Sequence, residues 1–231
     1  MSEKLGQRIT AEIIRTINKT GPYASMEKVK PVLRANKKKL AQRYLTEYLP
    51  TDRRLRGLDI GAGDGEFAAV TKELNPNISY FSSEAFIQNG NQLSEPFVQA
   101  KAEFLPFLDQ SFDFITVHFA FHHFRDKFAS FMETVRVLKS GGLLFIKEEF
   151  PRFPGQEYFL KINDQVSNET ISGAKFAAAF VENINYFSRS EIANLIALAQ
   201  LKVLEDSGSK PVRWIEWFYK SHKRLFVLQK Q

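Results

Sequence analysis

Leu55-Arg56-Gly57-Leu58-Asp59-Ile60-Gly61-Ala62-Gly63-Asp64-Gly65-Glu66 is the stretch on which the reading of this chain turns. A short run, Leu58-Asp59-Ile60, is cut off by glycines at 61, 63 and 65, and apolar residues then resume at helical spacing with Phe67, Val70 and Leu74. A strand, a tight glycine turn and a helix in that order open a doubly wound α/β sheet. Glycine lets backbone pass close to a ligand, and a helix N-terminus presents unpaired N–H groups. The plain alternative is a turn that only joins strand to helix.

A dinucleotide fingerprint, G-x-G-x-x-G, would put its last glycine where Glu66 stands, and a carboxylate is a poor neighbour for a pyrophosphate. The pattern is instead D-x-G-x-G-x-G, with Asp59 at the strand tip. In this it resembles the first motif of the class I S-adenosylmethionine (SAM)-dependent methyltransferases. The resemblance implies SAM as cofactor and places Asp59, Gly61, Ala62, Gly63 and Gly65 around it. SAM carries a methionine tail with an ammonium group and no phosphate, which suits an acid beside the turn.

Downstream residues extend the resemblance. Ile78 to Phe81 reads as a second strand ending in Ser82-Ser83-Glu84-Ala85. Glu84 follows the turn at about the 20-residue interval at which doubly wound folds place an acid on ribose hydroxyls. Its alternative is a surface glutamate at a strand end. Ala102, Glu103, Leu105, Pro106, Phe107, Ser111, Phe112 and Asp113 match a middle block of the family that leads into the fourth strand, Phe114 to His118. On this resemblance Ala102, Glu103 and His118 join the cofactor side. One residue departs from it: Lys101 stands where the family commonly has an acid toward the adenine amino group. Arg136-Val-Leu-Lys-Ser-Gly-Gly-Leu-Leu-Phe-Ile146 matches a helix end, a turn at Lys139–Gly142 and a buried fifth strand from Leu143 to Lys147. Beyond a helix with a Ser188/Glu191 capping box, strands at Leu201–Glu205 and Arg224–Gln229 suit a terminal antiparallel hairpin.

The expected fold is therefore α/β: a doubly wound, mostly parallel seven-stranded sheet with a terminal antiparallel strand, Rossmann-like, with an N-terminal helical cap. Leu5, Ile9, Ile13 and Ile17 predict one amphipathic helix, Gly21-Pro22 breaks it, and a second is predicted from about Val32 to Tyr48. Residues 1–50 are read as the cap, covering the cofactor, a sheet face or both. Residues 51–231 are read as the SAM-binding domain, with 150–185 as an insertion on the acceptor side. Phe153, Tyr158, Phe159, Phe176 and Phe180 either line the acceptor pocket or pack.

Methyl transfer asks mainly for alignment, since the sulfonium already activates the methyl group. Where an acceptor must lose a proton, His123, His122 or Glu148 is the candidate base, because the loop after strand four and the tip of strand five lie at the carboxyl edge. The alternatives are a histidine pair that orders the turn and a Glu148 paired with Lys147 or Arg152. The strand-four end His118-Phe119-Ala120-Phe121 is neither the Asn/Asp-Pro-Pro-aromatic of adenine or glutamine amino methyltransferases nor the Asp of ribose 2′-O enzymes.

The 231 residues include no cysteine, which removes disulfides, cysteine zinc sites and methyltransferases with a cysteine nucleophile. The four histidines show no metal-ligand spacing, so no metal is expected. No apolar run is long enough to span a bilayer and the first residues lack a secretion signal, so a cytoplasmic location is expected. The net charge of +6 is concentrated in residues 1–56, with 14 Lys/Arg against 5 Asp/Glu. That asymmetry marks either a nucleic-acid partner or a solvated helix face. The overall expectation is methyl transfer to a small-molecule acceptor. RNA or protein methylation through the basic segment, or SAM binding without catalysis, are the alternatives.

Overall fold

The computed structural model describes residues 26–85, 96–158, 160, 161, 164, 184–208 and 222–231, with the backbone alone for 26–30. Its elements are α1 (Met26–Glu47), β1 (Leu55–Ile60), α2 (Glu66–Leu74), β2 (Ile78–Glu84), β3 (Phe97–Gln99), β4 (Phe112–His118), a 3₁₀ turn (Phe121–His123), α3 (Lys127–Val137), β5 (Leu138–Phe150), α4 (Arg189–Leu198), β6 (Leu201–Gly208) and β7 (His222–Lys230). Seven strands form one sheet in the order β3-β2-β1-β4-β5-β7-β6. The first five run parallel, and β7 is antiparallel to both β5 and β6. This is the Rossmann-like class I fold expected from the sequence.

Parallel strands covered on both faces must be apolar throughout. Leu144 and Ile146 of β5 meet Ile115 and Val117 of β4, Phe131 and Val135 of α3, and Ile192, Leu195 and Ile196 of α4 on one face. Phe145 and Phe114 meet Phe67, Ala68 and Val70 of α2 and Ala41, Tyr44 and Leu45 of α1 on the other. Tyr44 stacks on Phe145 with ring centroids 4.1 Å apart. The C-terminal half of α1 thus covers a sheet face, one of the two roles expected of it. The first predicted helix lies outside the described residues, as do the aromatics Phe159, Phe176 and Phe180.

Three boundaries differ from the sequence reading. α1 begins at Met26 and continues through Pro31, although proline withholds the N–H a helix interior uses. β2 extends to Glu84, carrying that carboxylate to the sheet's edge. The expected Lys139–Gly142 turn lies inside β5: Phe112 pairs with Leu138 and Phe114 with Leu143, so the glycines form a bulge with Gly141 at φ 75°. Glycine tolerates that backbone without breaking the ladder on either side.

Candidate active site

In the order 3-2-1-4-5 the strand sequence reverses between β1 and β4, where open α/β sheets bind ligands beyond the strands' carboxyl ends. The loop after β1 lies there. Gly61, Gly63 and Gly65 all have left-handed φ, between 57° and 69°. A Cβ on Gly61 would come within 2.5 Å of the Ala120 Cβ, whereas one on Gly63 would meet nothing within 4 Å. The loop is therefore pressed against the β4 exit at its start and open at its middle. Gly61 and Ala62 donate backbone N–H groups to the Ser83 carbonyl, at 2.9 and 3.1 Å. Glu84 then folds over the loop, its Oε2 accepting from the Gly63 N–H at 3.0 Å and its Oε1 from the Ala85 N–H at 2.8 Å.

Beneath the loop lies a buried polar ladder. The Thr116 hydroxyl donates to Asp59 Oδ1 at 2.6 Å and meets the Tyr80 hydroxyl at 2.5 Å. Burial pushes the Asp59 carboxyl up to about 7, with the Thr116 hydrogen bond and the Lys37 charge pulling the other way. The buried Ser82 and Ser83 hydroxyls at the tip of β2 make no hydrogen bond among the described residues. An acid whose ionised form an ammonium would stabilise, a carboxylate beside an open glycine loop and orphaned hydroxyls together suit a cofactor with an amino-acid tail and a ribose.

A methyltransferase-domain family profile matches residues 58–146, from the middle of β1 to that of β5. Residues 58–146 therefore carry a SAM-dependent methyltransferase domain. Among curated proteins it is 36% identical over 99 residues to the ubiquinone/menaquinone biosynthesis C-methyltransferase UbiE of Stenotrophomonas maltophilia, covering 38% of this chain and 39% of that protein. It is also 36% identical over 119 residues to the uncharacterized methyltransferase YcgJ of Bacillus subtilis, covering 46% and 45%. The chain therefore matches less than half the length of these relatives. The crystal structure of YcgJ superposes with a TM-score of 0.58 at 18% identity, covering 85% of this chain and 99% of that one. A putative sarcosine dimethylglycine methyltransferase from Galdieria sulphuraria gives 0.62 at 18%, covering 85% and 86%. At such identities these two likenesses speak to the fold alone.

Within the methyltransferase domain the structure gathers Asp59, Gly61, Ala62, Gly63, Gly65 and Glu84 into one corner. The other residues assigned to the cofactor side are engaged in different ways. Ala102 is buried in the core beside Leu105. Glu103 accepts from the Asp126 N–H at the start of α3, 3.1 Å away. His118 Nε2 lies 3.0 Å from the Tyr44 hydroxyl, with its ring against Phe67. Burial, then the Lys147 and Lys37 charges, push His118 down to about 3, so its imidazole is neutral. Lys101 is exposed.

The acceptor-side candidates form a second cluster, beyond β4 and β5. Phe119 leaves β4 with φ 52°, uncommon for a bulky residue, and its N–H donates to the Lys147 carbonyl at 2.7 Å. His122 and Glu148 are buried, and His122 Nδ1 lies 2.7 Å from Glu148 Oε1. Glu148 therefore pairs with histidine, not with Lys147 or Arg152 as one alternative had it. Burial alone would lower the His122 pKa, but the Glu148 charge, the nearby Asp164 carboxylate and the Glu148 hydrogen bond raise it to about 10. An imidazole held as a cation at neutral pH has no lone pair to offer as a base. Tyr186 stacks on His122 with centroids 4.9 Å apart, and the Asn185 N–H donates to the His122 carbonyl at 2.8 Å. Asp164, which sequence reasoning passed over, lies 3.5 Å from His123 Nε2. Its place is set by the chain after β5, where no motif signals it.

Three of the described basic residues in the N-terminal segment pair with acids of the same chain, while Lys38, Lys39, Arg53 and Arg54 are exposed. Lys37 pairs with Asp64 and Glu66 at 2.9 Å each, and Arg34 pairs with Glu66 and Glu73. Arg43 reaches Glu205 at 2.9 Å. A cavity lined by Tyr48, Leu49, Leu55, Asp113 and Gly141 opens at the opposite, amino edge of the strands, away from both clusters. Among the described residues no helix is long and apolar enough to cross a membrane.

Proposed function

We propose that this protein transfers a methyl group from SAM to a small-molecule acceptor. The observation that carries the reading is the closure of Glu84 over an open glycine loop at the β1/β4 switch point, above the buried Asp59. In this reading Glu84 accepts from the ribose hydroxyls, Asp59 faces the ammonium through the loop, and the backbone of Gly61, Ala62, Gly63 and Gly65 lies under the cofactor. Ala102, Glu103 and His118 bound the site from the β3 and β4 side. Bound SAM would supply a methyl group already activated by its sulfonium. The chain then has to hold the acceptor in line and keep water out, a positioning task that contributes several kcal/mol to such reactions. His122, His123 and Glu148 form the acceptor-facing polar group of this site. α1, through Lys37 on Asp64 and Glu66, braces the loop and acts as its cap.

A small acceptor is favoured over nucleic acid because Arg34, Lys37 and Arg43 are engaged with acids of the same chain, which leaves those charges less available to phosphates. The named activity of the UbiE relative, C-methylation in quinone biosynthesis, makes phenolic and quinol acceptors the first to try. Calorimetry should show SAM binding to the wild type that weakens about tenfold in Glu84→Ala, the loss of one charged hydrogen-bond partner. Equal affinity would remove Glu84 from the ribose role. Turnover of a phenol panel supports the small-acceptor reading. Salt-sensitive RNA binding with RNA methylation would replace it, and tight SAM binding without turnover on either panel would favour a regulatory protein.

A further inference from the structure

His122, His123 and Asp164 converge although the sequence keeps the aspartate far from the histidine pair. One potential ligand atom from each lies within 4.8 Å of the others. His123 Nε2 is 3.5 Å from Asp164 Oδ2, and His122 Nε2 is 3.9 Å from Asp164 Oδ1. Around a four-coordinate cation with bonds of about 2.1 Å, neighbouring ligand atoms sit about 3.4 Å apart. The two imidazole–carboxylate separations lie close to that spacing, and the whole set lies within 4.8 Å.

Two buried atoms point to a missing partner. His122, 3% exposed, keeps its Nε2 without a hydrogen bond, and the fully buried Glu148 has an Oε2 in the same condition. A buried nitrogen left so is costly unless something occupies its lone pair. The remaining contacts orient that lone pair. Glu148 takes the Nδ1 proton of His122 at 2.7 Å, which in the neutral ring leaves Nε2 as the acceptor on the Asp164 side. Carboxylate on one ring nitrogen and ligand on the other is the arrangement by which metal-bound histidines are oriented. Tyr186 fixes the ring plane by stacking.

We propose that His122, His123 and Asp164 bind one divalent first-row transition cation, with Glu148 orienting His122 from behind. Two imidazoles and a carboxylate suit zinc, iron(II), cobalt or manganese and disfavour soft, thiolate-seeking ions. Two carboxylates near the site balance the dipositive charge. In the metal-free state a proton on His122 fills the same role, so cation and proton compete there. Three protein ligands leave coordination positions open, as catalytic metal sites do. An oxygen of the acceptor is a ligand of matching hardness for such a position.

The site is tested on the full chain, stripped with a chelator and titrated with cobalt(II) and zinc alone, with neither SAM nor acceptor present. Its outcome is thus separate from that of the methyl-transfer reading. Calorimetry should report one equivalent of zinc, and cobalt should give the visible absorption bands of a protein-bound ion. His123→Gln and Asp164→Asn, both partly exposed residues, should each weaken zinc binding at least tenfold while melting near the wild-type temperature. Glu148→Gln should weaken it by about 10- to 100-fold as an orienting group. Absence of stoichiometric binding in the wild type, or unchanged affinity in both His123→Gln and Asp164→Asn, overturns the proposal.

Discussion

Two corners of the same sheet edge are built in opposite ways. The corner at β1 and β2 draws its polar groups from 26 consecutive residues, Asp59 to Glu84, joined by one short helix, with Thr116 added from β4. Its groups meet because a glycine turn and a parallel strand pair leave them no other place. The corner beyond β4 and β5 takes Phe119, His122 and His123 from a loop, Glu148 from a strand tip, and Asp164 and Tyr186 from the chain beyond. Its groups meet only when the fold closes. The first is a backbone device with side chains added, and the second is a side-chain device held by burial.

That contrast predicts different failures. The largest effect is expected from Glu148→Ala, which leaves His122 with a buried, half-compensated charge. Removing one partner of such a pair costs about 3–5 kcal/mol. Denaturant unfolding should show this loss, while SAM affinity per folded molecule stays within a few-fold. A cost below about 1 kcal/mol, the scale of exposed pairs, would break the comparison by showing that the corner is solvated.

Gly61→Ala should reverse the pattern. Left-handed backbone with a Cβ costs about 1–2 kcal/mol, and the overlap with Ala120 adds about 1–3 kcal/mol of overpacking. The displaced loop would carry Gly63 away from Glu84, so SAM binding should fall beyond detection even at temperatures where the variant is folded. Retained affinity would mean that the loop's conformation matters less than its composition.

Asp59→Asn sharpens the comparison through pH. Burial raises the folded carboxyl from 3.8 to about 7, so the folded protein holds its proton more tightly than the unfolded chain. The favourable contribution of this group is then complete below pH 4 and is lost as pH rises toward 7, at no more than about 1.4 kcal/mol per pH unit. The asparagine variant cannot ionise. Its melting temperature should match the wild type near pH 4 and exceed it by a few degrees at pH 8. Parallel curves across that range would mean that Asp59 is ionised and solvated in the folded protein.

Much of this architecture was legible in the chain. The glycine spacing, the continuous apolar run Leu143–Ile146 and the Ser188/Glu191 capping box are local patterns, and local sterics and hydrogen bonding make each one compulsory. The same holds for Glu84, whose distance along the chain is fixed by one helix and one strand. Two local signals point the other way: the helix expected from about Val32 runs back through Pro31, and the turn expected at Lys139–Gly142 is a bulge, because packing of α1 and pairing with β4 outweigh a single residue's preference.

The sequence by itself determined the strand–turn–helix unit and the placing of Glu84 beside the glycine loop, since these depend on residues 55–84 alone, while the doubly wound order was expected from the family resemblance. Only the tertiary structure decided the rest. It sets Glu148 against His122 and brings Asp164 to His123, and it turns Arg34 and Lys37 onto the acids beside the glycine loop. The physical reason is that a charge or a ring nitrogen carries no periodicity announcing its partner. Its ionisation and its chemistry are fixed by what burial places within a few ångströms, and that is known only when distant segments have packed.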